Sequence, residues 1–138
     1  MSDFQKTHLN PEGMHRSGAF SQGISVSGPS RTIYIGGQNA VNARGEIVGP
    51  GDLKAQTRQA LKNMGTVLEA AGAGFSDLIK LNIYMAQGVD PREGFAAYLE
   101  VAGPLDPPPL VTGLFVAGLA NPAFLVEIDG IAVVKDEA

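Results

Sequence analysis

Residues 51–85, GDLKAQTRQALKNMGTVLEAAGAGFSDLIKLNIYM, decide the fold, because two different hydrophobic periods follow one another there across a short glycine-containing joint. In the first part Leu53, Thr57, Ala60, Leu61, Met64, Val67, Leu68 and Ala71 recur at 3.6-residue spacing, while Lys54, Arg58, Gln59, Lys62 and Glu69 fall elsewhere. Asp52 stands where a helix wants an N-cap acceptor and Gly72 where it stops. The period then changes to two. In LIKLNIYMA (78–86), Ile79, Leu81, Ile83 and Met85 point one way and Leu78, Lys80, Asn82 and Tyr84 the other, which predicts a strand with unlike faces.

Working outward, SQGISVSG (21–28) and RTIYIGG (31–37) read as a hairpin turned by Gly28-Pro29-Ser30, and residues 1–17, polar and broken by Pro11 and Gly13, read as a loosely held arm. NARGEIVGPG (42–51) is a glycine-rich connection with room for a short strand at either end. PREGFAAYLEVAG (91–103) begins with proline at a first helical position and ends in glycine, so a second, shorter helix is expected. Beyond the Pro107-Pro108-Pro109 corner come two strands, roughly 110–117 and 124–134. The order is ββαβαββ, an α+β domain spanning 1–138 with both helices on one face of the sheet. The other face stays partly apolar, and in so small a chain a further subunit is the expected cover.

Composition narrows the chemistry. There is no cysteine among the 138 residues, which excludes disulfides, thiolate metal sites and thiol nucleophiles. Ten basic against fourteen acidic residues, the basic ones scattered, do not form the positive stripe that nucleic acid requires. The start MSDFQKTHLNPEG lacks a secretory pattern, and Pro and Gly interrupt the apolar run at 105–134, so the expectation is a cytoplasmic protein with no membrane partner. His8 and His15 read as solvated surface histidines, and Asp90 and Glu93 as helix-start charges. GGQ at 36–38 lacks the spacing of a phosphate loop. Glu127 differs: VEIDGIA sets it inside an apolar strand with Asp129 two residues on, hence on the same face. Two carboxylates there must meet water, donors or a neighbouring chain. A solvated sheet face and an active site both explain them.

GAFSQG (18–23), IYIGGQ (33–38), the block 51–85, and VAGL followed by LVEIDGIAV resemble the RidA/YjgF family, also labelled L-PSP endoribonucleases, over nearly the whole chain. The resemblance implies a chorismate-mutase-like α+β fold and a homotrimer with ligand clefts between subunits. In enamine- and imine-hydrolysing members, an arginine after the proline corner grips the substrate carboxylate and a glutamate of the last strand holds the attacking water. Carried over, the glutamate is Glu127, and a glycine of the second strand is Gly37. The arginine position reads Val111, and the remaining cleft positions read Phe20, Gly36, Phe95 and Gly113, so this chain would be a divergent member with an apolar cleft. An arginine fork makes two charge-assisted hydrogen bonds worth roughly 1.5–3 kcal/mol each, so valine forfeits on the order of a hundredfold or more in carboxylate binding.

Two readings follow: a hydrolase of some other imine or enamine, with Glu127 orienting water and the substrate held near Phe20, Gly36, Gly37, Phe95, Val111 and Gly113; or a non-catalytic trimeric binding or regulatory protein. Ribonuclease activity fits the acidic balance poorly. No cofactor and no metal is expected. Arg16, Arg31 and Arg92 are the candidates for a displaced guanidinium reaching the cleft from a neighbouring chain.

Overall fold

The computed structural model describes residues 3–137. Helix α1 runs Leu53–Ala70, with the Asp52 side chain accepting from the Ala55 amide and Gly72 taking the left-handed conformation (φ +72°) that ends it. A single 3-10 turn, Phe75–Asp77, leads into β4, Leu78–Ala86. Helix α2, Pro91–Ala102, starts on an Asp90 cap and stops at Gly103 (φ +73°). It forms the crossover that lets β5, Leu110–Val116, run parallel to β4. The last strand, β6 (Val126–Lys135), lies between β3 (Ser30–Gln38) and β4, antiparallel to both, giving the sheet order β3-β6-β4-β5. The α+β class and the placing of the helices on one face are as the sequence predicts.

Two expectations at the N-terminal end are corrected. β2 (Gly23–Ser27) does not form a hairpin with β3; it pairs antiparallel with β1, Gln5–Leu9, as a separate two-stranded sheet. Residues 5–9 are therefore a strand and not part of a loose arm, whereas Met1 and Ser2 lie outside the described residues. The sequence hides β1 because its half-buried positions are Lys6 and His8, while Leu9 is exposed, so no apolar alternation exists to be read. β3 prefers the ten-residue β6, which offers it a longer ladder than β2 could.

The core is Leu61, Met64 and Leu68 of α1 against Leu78, Leu81, Ile128 and Ala132 of the sheet. Each such leucine contributes roughly 1.5–3 kcal/mol through burial. Leu78 and Leu81 are both buried although strict alternation sends them to opposite faces. The register explains it: Leu78 pairs with Ala132 and Lys80 already with Ile131, so β4 carries a bulge that turns Leu78 back to the core. On α1, Val67 is 36% exposed, and the position that joins the core in its stead is Gln56, at 0%.

Gln56 is buried because its amide satisfies three backbone groups from two distant segments. Its Nε2 donates to Gly49 O (3.2 Å) and Ala123 O (2.9 Å), and its Oε1 accepts from the Leu125 amide (2.8 Å). This fixes α1 to the loop that enters β6. Replacing Gln56 by Leu would leave those groups without partners, each costing about 1–3 kcal/mol. The Gln56→Leu chain is expected to unfold at a clearly lower denaturant midpoint; an unchanged midpoint would refute the role.

Candidate functional site

Residues alternate along β6, so Val126, Ile128, Gly130 and Ala132 face the helices while Glu127, Asp129 and Ile131 face the open side. That alternation divides the expected site residues into two groups. Phe20, Phe95, Val111 and Gly113 come together, with Leu81, Ile83, Met85, Val126 and Ile128, around a cavity of about 230 Å³ between the sheet and both helices. Gly36, Gly37 and Glu127 lie apart from it. The carboxylate and the cavity are on opposite faces of the sheet.

The cavity wall is almost wholly apolar, and no charged side chain lines it. Of its two polar side chains, Thr57 donates its hydroxyl to Leu53 O at 2.8 Å, and Tyr98 stacks on Phe95 with ring centroids 6.0 Å apart. Burial pushes the Tyr98 phenol above its ordinary pKa. Glycine at 113 is not forced by crowding, since a Cβ there would meet nothing closer than Met85 Cε at 3.9 Å; it enlarges the space. Phe20 is held by its neighbour. Buried Ser21 donates to Pro108 O (2.6 Å), receives His8 Nδ1 at 2.8 Å, and hydrogen-bonds Pro109 O through its amide (3.0 Å). The proline corner that launches Val111 and the segment carrying Phe20 are thus joined. His8 is half-buried and bonded to Ser21 rather than freely solvated as the sequence suggests, and burial foremost, then nearby Lys6, lowers its pKa.

The open face carries the polar constellation. Between Ile35 and Gln38, β3 holds one residue more than β6 opposite it, a bulge at Gly36-Gly37. It brings Gly37 against Glu127 so closely that a Cβ would stand 2.5 Å from Glu127 Oε2, whereas Gly36 has open space around it. Asn39 Nδ2 donates to Glu127 Oε1 at 3.1 Å. On the adjoining strand Tyr84 lies opposite Glu127, and Asn82 opposite Asp129, to which it donates at 2.7 Å. The Asp129 charge foremost, then burial, a hydrogen bond to Asp129 and the Glu127 charge raise the Tyr84 pKa. Neither carboxylate forms a salt bridge among the described residues. Asn39, Tyr84 and Tyr98 were not singled out from sequence. The alternation of Asn82 with Tyr84 was the available signal, and it needed the β4–β6 register to acquire meaning.

None of the three arginines lines the cavity of this chain. Arg31 donates to Ala71 O, Arg92 is 91% exposed and paired with Asp90 at 2.9 Å, and Arg16 belongs to the loop of residues 10–16. Among the described residues no group of acidic or histidine side chains could hold a metal ion, and no helix is long and apolar enough to cross a membrane.

This arrangement of a four-stranded sheet with two helices on one face is that of a known family. The model described as Endoribonuclease L-PSP matches residues 12–134, and the chain belongs to this family, the RidA/YjgF proteins. A crystal structure from Yersinia pestis, described as a protein of unknown function of the conserved Rid family, superposes with a TM-score of 0.80 at 34% identity, covering 94% of this chain and 98% of that one. The 2-iminobutanoate/2-iminopropanoate deaminase of Dermatophagoides farinae is 33% identical over 86% of this chain and 88% of its own length. The rat protein of the same name is 40% identical over 70 residues, 50% of this chain and 48% of that protein, so the match spans about half of its length.

The Tyr84 shift yields a test. The folded chain is expected to keep the Tyr84 proton above the ordinary phenol range, and Asp129→Asn, which removes the main cause, should let it ionise at lower pH. Tyrosinate absorbance followed through alkaline titration reads this, and identical curves for the two proteins would contradict the geometry.

Proposed function

We propose that this chain is a hydrolase of carbon–nitrogen double bonds, acting in the cytoplasm as a homotrimer on an imine or enamine bulkier and less acidic than the short 2-iminoacids. The observation that carries the reading is Glu127: its carboxylate is steadied by Asn39 and given room by Gly37, yet it stands across the sheet from the cavity. Neither half suffices alone. In this reading a neighbouring subunit covers the open face and contributes its own cavity as the other half of the site. The names of the deaminase relatives support the reaction class.

In this reading, Glu127 accepts a proton from water as the water oxygen bonds to the imine carbon and the π pair moves to nitrogen. Proton transfer to that nitrogen and collapse of the carbinolamine then release ammonia and leave a carbonyl. An enamine is first protonated at carbon. Val111 offers no cation to a substrate carboxylate, so the apolar wall selects the rest of the molecule.

A second reading, a trimeric binding protein without catalysis, is favoured by the absence of any charged side chain from the cavity wall. Ammonia release from freshly generated 2-aminoacrylate and from bulkier imines separates the two. The hydrolase reading expects acceleration chiefly of the bulkier imines and a loss of about 10²-fold or more in Glu127→Gln, the scale of a positioned general base. It also expects Val111→Arg to gain activity toward 2-iminoacids. No acceleration over buffer with any substrate, and silence from Val111→Arg, would leave the binding reading.

A further inference from the structure

We propose that the cavity between the sheet and α2 recognises an uncharged, largely hydrocarbon group that carries one hydrogen-bond acceptor, such as a ketone or ester carbonyl, and that Tyr98 is the residue that reads the acceptor. The proposal deepens the preceding one by naming the chemistry of the bound group, and it rests on that reading only for the link between binding and turnover.

Three observations lead there. The wall contains no charge, so a bound ion would lose its water without gaining a partner, at a cost of several kcal/mol. The polar side chains on the wall are Thr57 and Tyr98; Thr57 already donates its hydroxyl to Leu53 O. Tyr98 is half-buried, its hydroxyl, open to solvent, makes no hydrogen bond to another described residue and is free to donate, and its ring lies against Phe95 with the two planes 22° apart. The upward pKa shift, caused by burial alone, agrees with a phenol that stays protonated and can donate. A phenol in apolar surroundings gains from an acceptor supplied by whatever fills the space. Size sets the last limit. A cavity of about 150 Å³ takes benzene, so the 230 Å³ here holds a group of about nine non-hydrogen atoms.

Acetophenone, isopropylbenzene and benzoate are of that size and nearly the same shape, and differ in offering a neutral acceptor, none, or a charge. Binding of each to the full-length protein, measured by calorimetry or ligand-observed NMR, tests the proposal without any turnover. Acetophenone is expected to bind saturably and benzoate at least tenfold more weakly. Tyr98→Phe, which keeps the ring and its stack on Phe95, should weaken acetophenone by about five- to tenfold while leaving isopropylbenzene unchanged or tighter. Benzoate binding as well as acetophenone would overturn the proposal. So would equal effects of Tyr98→Phe on ketone and hydrocarbon, or no saturable binding by any of the three. If acetophenone behaves as expected while no imine is hydrolysed, the cavity chemistry stands and the hydrolase reading falls.

Discussion

The position of β6, hydrogen-bonded on both sides by antiparallel neighbours, is the constraint on which the rest of the molecule depends. A strand paired on both edges cannot rotate, so its side chains are assigned to two faces without appeal. Val126 and Ile128 become the floor of a cavity, and Glu127 is sent through the sheet to the opposite surface. Gln56 reinforces the constraint from outside by fixing the loop that enters the strand. The bulge at Gly36-Gly37 adapts the neighbouring strand to the carboxylate that results.

What could be read beforehand follows from which interactions are local. α1, α2 and β4 announce themselves through caps and periods that lie within a few residues of each other, and Asp52, Gly72, Pro91 and Gly103 all serve as their types suggest. β1 could not be read, because the contacts that make it a strand are with β2, and the residues turned inward are Lys6 and His8. Gln56 looks like a surface residue until the carbonyls of Gly49 and Ala123 arrive from distant parts of the chain. The bulge that buries Leu78 is likewise a property of a pair of strands, invisible in either one.

The site was legible as a set of positions and not as an arrangement. Glu127 and Val111 attract notice through their chemistry, one a carboxylate in an apolar strand and the other a valine where the resemblance leads one to expect arginine. That they occupy opposite faces follows only from strand register. The polar support around Glu127, from Asn39 on one side and the Tyr84 strand on the other, likewise depends on pairing. In the same way, Ser21 is an ordinary residue in the sequence and a junction in the structure, binding the proline corner to the segment that carries Phe20.

The placing of the aromatic hydroxyls has an optical consequence. The chain contains three tyrosines and no tryptophan, so its near-ultraviolet fluorescence arises from these phenols alone. Tyr34, 75% exposed and paired with Ile131, shares the open surface with Tyr84, while Tyr98 stands at the cavity wall. A small quencher lodged in the interior and a protein surface pressed on the sheet would therefore dim different emitters, and single Tyr→Phe replacements would sort the two signals without attaching a dye.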